Sequence, residues 1–129
     1  MIPVIKSTTM NPEQFFGKLF QIRDQIHLRH LRVSGPGSYA QHTALNEFYD
    51  GILSLTDSLI ESYQGKYGII NIVIKESKDI DAISLLKELA SLTDGGAAYK
   101  MFKETFLQNE VDEISKLTYS TLYKLQNLK

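Results

Sequence analysis

His30-Leu31-Arg32-Val33-Ser34-Gly35-Pro36-Gly37-Ser38-Tyr39-Ala40-Gln41-His42, followed at wider spacing by Asn46, Asp57 and Glu61, is the stretch on which the reading of this chain turns. Its centre, Gly35-Pro36-Gly37, breaks a helix, because glycine admits positive φ and proline cannot continue the hydrogen-bond ladder. One helix is therefore predicted to end near Val33 and a second to begin near Ser38. On the second, His42, Asn46, Asp57 and Glu61 are separated by four, eleven and four positions. At 100° per residue they share an arc of about 100°.

The second helix has a separate apolar stripe, Leu45, Phe48, Ile52, Leu55, Leu59 and Tyr63, spaced by three or four residues. The two faces are centred roughly 145° apart, so the candidate ligands look away from the core of their own chain. Tyr49, Leu53 and Ile60 lie among them, which makes that outer face partly apolar and suited to a contact.

Distance limits how these residues act together. His42 and Glu61 are nineteen positions apart, about 28 Å along a straight helix and beyond the span of one metal centre. Both pairs, His42 with Glu61 and Asn46 with Asp57, are symmetric about a point between Gly51 and Ile52. Two copies of this helix crossing antiparallel on a two-fold axis there would bring His42 of one to Asp57 and Glu61 of the other. Gly51 would let the helices approach closely.

The run from His30 through Gly35, His42, Asp57 and Glu61 resembles the signature of the mini-ferritins, the Dps proteins, over roughly residues 12 to 64. The resemblance implies a ferritin-like four-helix bundle with di-iron ferroxidase centres between two-fold-related subunits, in which His30 and His42 of one chain and Asp57 and Glu61 of its partner surround the iron. It also implies a homo-oligomer, a two-fold dimer or a closed cage. Two positions depart from the family pattern: Asn46 stands where an aspartate is usual, and Leu31 where a tryptophan is usual. A neutral amide is a weaker ligand than a carboxylate for a hard cation, so a weak or single-metal site follows. The C-terminal Leu107-Gln108-Asn109-Glu110-Val111-Asp112-Glu113-Ile114 and Leu122-Tyr123-Lys124-Leu125 resemble the end of small Dps-like proteins of tailed bacteriophages, implying a phage-encoded relative.

The remaining composition narrows the classes. At 129 residues the chain reads as one domain, 1–129. Fourteen basic and fifteen acidic residues leave a charge of −1, and Met1 to Met10 holds only Lys6, so no nucleic-acid partner is expected. There is no cysteine, which removes disulfides, thiolate metal sites and cysteine nucleophiles. No apolar run approaches a membrane span and no signal segment is evident; a soluble cytoplasmic protein, bacterial or in an infected host, is expected. Phosphate loops, dinucleotide fingerprints and nucleophile elbows are missing. So are Glu-x-x-His pairs, leaving only the intersubunit kind of iron centre.

In chain order, residues 1 to 10 form an irregular lead that packs on the bundle or joins a neighbour. Asn11-Pro12-Glu13 starts a helix running to about Arg32, with Phe15, Leu19, Ile22, Ile26, His30 and Val33 on one stripe. Ser38 caps the second helix, which extends from Tyr39 to about Gln64 and stops at Gly65. The span from Gly65 to about Lys78 fits the long crossover between the second and third helices of a ferritin-like bundle, with Ile69 to Ile74 as a strand or an extended buried segment. A third helix begins near Asp79 or Asp81 and presents Ile83, Leu86, Leu89, Ala90 and Thr93. It is weakened at Asp94-Gly95-Gly96 and continues, kinked, through Tyr99, Phe102 and Phe106. Asn109 caps the last helix, with Val111, Ile114, Thr118, Thr121, Leu125 and Leu128 inward.

Each candidate ligand has a bland alternative. His30 ends an apolar stripe and serves equally as a hydrogen-bonded core histidine. Asp57 and Glu61 serve equally as salt-bridge partners for another subunit. His27 with His30 offers a metal pair of its own but no third ligand, and Arg23, Arg29 and Arg32 read as a solvated or salt-bridged face. Two functions follow: an iron-binding protein with a degenerate ferroxidase site, or a non-catalytic assembly or interaction protein that keeps the bundle and binds a host or viral protein.

Overall fold

The computed structural model describes residues 10–76 and 78–129, and among them the chain is helical, with no strand. The lead over residues 1–9 lies outside the described residues. None of the described helices is long and apolar enough to cross a membrane.

Helix α1, Pro12–His30, begins where expected: Asn11 Oδ1 accepts from the Gln14 N–H at 2.8 Å and Gln14 Oε1 accepts from the Asn11 N–H at 3.0 Å. This reciprocal box satisfies two donors at the exposed helix start. Its inward stripe is Phe15, Phe16, Leu19, Ile22, Ile26 and His30. Val33 falls beyond the helix end and is half-buried in the connection.

Helix α2, Ser38–Tyr67, is longer than the sequence suggested at both ends. Gly37, at φ +79°, occupies the N-cap, and Ser38 is the first helical residue, so the expected serine cap does not form. A left-handed residue reverses the chain within the tight Gly-Pro-Gly connection, and only glycine takes that φ without strain. At the far end Gly65 does not stop the helix. A helical glycine costs about 1 kcal/mol relative to alanine, and one more turn continues to Gly68, whose N–H donates to the Gln64 carbonyl at 2.8 Å.

The crossover over 68–81 climbs beside α1. Gln21 Nε2 donates to the Lys75 carbonyl, Gln25 Nε2 to the Lys78 carbonyl at 3.1 Å, and Arg29 pairs with Asp79 at 2.8 Å. At Gly17 the backbone passes so close that a Cβ would lie 2.3 Å from the Val73 carbonyl oxygen. The Ile69 to Ile74 run is neither a strand nor fully buried: Ile70 and Ile72 pack on the core while Ile69 is 92% exposed. Within the run the Ile70 N–H donates to Gln64 Oε1 of α2 at 3.2 Å.

Helix α3, Ala82–Thr93, is capped by Asp81, whose Oδ2 accepts from the Ser84 N–H at 3.0 Å. The expected kinked continuation is absent, because the chain breaks at Asp94-Gly95-Gly96, with Gly95 at φ +66°. A single turn, α4 (Ala97–Lys100), follows, and Phe102 is buried in the connection. Helix α5, Thr105–Asn127, starts ahead of Asn109, with Glu104 at its N-cap position. It buries Leu107, Val111, Ile114, Ser115, Thr118, Thr121 and Leu122. Leu128, expected inward, is exposed just past the helix end.

Contacts set the helix directions. Glu47 meets Lys124 and Ser58 meets Glu110, so α2 and α5 are antiparallel. Thr93 at the end of α3 meets Ser115, whereas Asp81, Ala82 and Ile83 at its start line one cleft with Leu125, so α3 and α5 are antiparallel too. Helices α2 and α3 therefore run in the same direction, which requires the crossover to travel the length of the bundle before α3 begins. The fold is all-α, with one core drawn from α1, α2, α3 and α5.

Glu104, at the start of α5, ties the end of α2 to it. Lys66 Nζ lies 2.7 Å from its carboxylate and the Tyr67 hydroxyl donates to it. These two bonds lower its pKa from 4.5 to about 2. A carboxyl depressed in the folded state contributes stability above its ordinary pKa and loses it as pH falls through the folded value. The expected result is a fall in stability between pH about 4.5 and about 2 that is smaller in Glu104→Gln, measured by urea unfolding at pH 7 and pH 3.

Candidate metal centre

The Gly-Pro-Gly connection folds the start of α2 back on the end of α1, and that reversal places His30 and His42 against each other. Their rings stack with centroids 3.8 Å apart and planes inclined by 29°, and their Nε2 atoms are 3.0 Å apart. His30 is 7% exposed, whereas His42 is open to solvent. His42 Nδ1 donates to the His30 carbonyl at 3.1 Å. A neutral ring that donates through Nδ1 carries its lone pair on Nε2. His30 Nδ1 is buried with no hydrogen-bond partner.

Electrostatics favour the neutral form of His30. Burial lowers the His30 pKa first, and the neighbouring His42 and His27 lower it further; the charge of Asp50 opposes them. A neutral imidazole is the state that binds a metal.

Around the pair lies a layer whose arrangement sequence spacing did not disclose. Tyr49 stacks on His27 at 4.1 Å and meets His30 edge-on at 5.0 Å. Its hydroxyl donates to Asn46 Oδ1 at 2.7 Å, and Asn46 Nδ2 donates to Asp50 Oδ2 at 3.2 Å. Tyr49 and Asp50 follow His42 by seven and eight positions, so they share its helix face, and that was the only available signal. His27 belongs to the aromatic packing, at 6.0 Å from His30 between ring centres.

Asp57 and Glu61 stand elsewhere on α2, exposed, with no hydrogen bond or ion pair to any described residue. Fifteen positions separate His42 from Asp57, about 22 Å along the helix. The chain brings the two histidines together and leaves the two carboxylates apart from them. Among the described residues no three His, Cys, Asp or Glu side chains gather to hold a metal.

The outer face of α2 differs from expectation in two residues. Ile60, placed among the ligands by angle, is buried at 8% exposure, because the core wraps further round the helix than its apolar stripe indicates. Gly51 turns toward its own chain, where a Cβ would lie 3.2 Å from Leu117 of α5; the close approach it permits is α2 to α5. Leu53 is exposed, as an outward position should be. The arginines form the ion-paired face foreseen, Arg29 and Arg32 both reaching Asp79 and Arg23 reaching Asp24.

No curated protein and no solved structure matches this chain. One family profile does, over residues 30–125, from the buried histidine of the pair to the inner face of α5, and the chain accordingly belongs to the family of unknown function DUF5856.

Proposed function

We propose that this chain is a ferritin-like, iron-binding protein of the mini-ferritin type, whose site is assembled between two copies: His30 and His42 of one, Asp57 and Glu61 of the other. The observation that carries the reading is the histidine pair itself, with Nε2 atoms 3.0 Å apart. Nitrogen ligands bind at about 2.0–2.1 Å from a metal, so both fall within reach of one ion.

The donor set is mixed imidazole and carboxylate, which suits iron. Iron is the substrate here: bound as Fe(II), it would pass electrons to an oxidant. The protein's part is to hold neutral imidazoles on one side and to bring Asp57 and Glu61 of the other copy opposite them. The parallel α2 and α3, joined by a crossover along α1, support the ferritin-like reading of the bundle.

One observation favours the rival, a non-catalytic assembly or interaction protein that meets a host or viral partner. Leu28, Leu31 and Tyr39, at or near the connection between α1 and α2, are 52%, 67% and 82% exposed, large apolar side chains of the kind that protein contacts cover.

Aerobic Fe(II) oxidation by metal-free protein separates the two. Oxidation faster than protein-free buffer, falling on the order of tenfold or more in Asp57→Asn at unchanged assembly state, is the expected result. Rates equal to buffer would remove the ferroxidase and leave the interaction protein.

A further inference from the structure

We propose that the cleft between the α1–α2 connection and the start of α3 binds a small amphipathic monocarboxylate, its aliphatic chain on apolar walls and its head on Arg29 and Arg32. The cleft has a volume of about 260 Å³ and lies where α1 finishes, α3 begins and α5 nears its end. Val33, Leu45, Ala82, Ile83 and Leu125 supply its apolar walls. Drug-sized ligands occupy roughly 300–1,000 Å³, so the space suits a short chain and not a long lipid. Neither His30 nor His42 lines it, and the proposal is independent of any metal.

The two arginines supply the counterpart of the head. Both line the cleft, and one carboxylate is divided between them: Arg29 Nη2 donates to Asp79 Oδ1 at 2.8 Å and Arg32 Nη1 to Asp79 Oδ2 at 3.5 Å. Neither guanidinium therefore has the bidentate partner that its planar fork accommodates. Arg29 Nε is buried without a hydrogen-bond partner. A carboxylate laid side-on along Arg29 would take Nε and Nη2 together, leaving Asp79 to Arg32 or to water. A buried donor left unmet is unfavourable, and a ligand oxygen removes that cost.

Charge sets the class of ligand. Asp81 lines the cleft too, but its carboxylate caps α3, accepting from the Ser84 N–H at 3.0 Å. Two guanidinium charges then face the single carboxylate of Asp79, an excess of one positive charge. A monoanion balances it. Asp79 gives way readily, because its side chain is 69% exposed and an exposed ion pair contributes little. A ligand without a head would leave Arg29 Nε unmet, and an anion without a chain would leave the apolar walls in water.

Sodium octanoate is the probe, titrated at neutral pH into metal-free full-length protein and followed by calorimetry and by amide NMR spectra. The expected result is one octanoate per chain, with the largest shifts at Val33, Ala82, Ile83 and Leu125. Hexanoate, two methylenes shorter, should bind on the order of tenfold more weakly, and octanol and acetate, which each lack one half of the ligand, should bind more weakly than octanoate. Arg32 is 59% exposed, so Arg32→Gln spares the fold and should weaken octanoate about fivefold. Asp79→Asn removes the competing carboxylate and should tighten octanoate by a similar factor. Octanol binding as tightly as octanoate would overturn the role of the carboxylate head, and acetate doing so would overturn the role of the chain. Weaker binding in Asp79→Asn would overturn the exchange at the arginines. Shifts confined to other residues, or no binding of octanoate, would overturn the site.

Discussion

Phe16→Ala is expected to lower the free energy of unfolding by about 3–5 kcal/mol, the cost of deleting a fully buried aromatic ring and leaving a cavity. Phe16 is wholly buried and meets Tyr63 edge-on at 5.5 Å, Phe102 nearly parallel at 6.4 Å and Phe15 at 6.3 Å. It thereby joins α1, the end of α2 and the connection between α4 and α5. A small domain has only about 5–15 kcal/mol in total, so the variant should unfold at much lower urea concentration. Fourteen positions separate Phe16 from His30, about 21 Å along α1. The folded fraction should therefore keep the histidine pair, and any metal uptake per folded molecule should be unchanged. A loss below about 1 kcal/mol would mean that the aromatic group is not the packed centre described here.

Gly17→Ala is expected to destabilise the chain by up to about 2 kcal/mol, the balance of two opposed effects. Alanine is favoured over glycine within a helix by about 1 kcal/mol, whereas overpacking costs about 1–3 kcal/mol. The added methyl would stand 2.3 Å from the Val73 carbonyl oxygen and 3.3 Å from its carbon, and the crossover must move. Its anchors to Gln21 and Gln25 lie one and two turns further along α1, so the displacement should reach them. Hydrogen exchange should quicken along the crossover more than in α5. An alanine variant more stable than the parent would show that the crossover does not lie against α1.

Periodicity made much of this molecule legible in advance. The Asn11 start of α1, the inward stripes of α1, α2 and α5, a start of α3 at one of Asp79 and Asp81, and the outward position of Asp57 and Glu61 all follow from local sequence within one element. Errors gathered at glycines and at caps. Gly65 continues a helix that it was expected to end, Asp94-Gly95-Gly96 ends one that was expected to continue, and Ser38 and Asn109 do not cap. A single glycine costs about 1 kcal/mol, little enough for neighbouring contacts to decide either way. Lys66 and Tyr67, bonded to Glu104 across the bundle, lie on the extra turn of α2.

By itself, then, the sequence determined which residues share a face: the apolar stripes, and the arc that carries His42, Asn46, Asp57 and Glu61. Angular position depends only on the local repeat of the helix. Only the tertiary structure decided which faces meet. It set His30 against His42 at 3.0 Å, committed Asn46 to Tyr49 and Asp50, turned Gly51 toward α5 and laid the crossover along α1. Those relations arise between elements, where packing of whole surfaces selects one arrangement from many with the same periodicity.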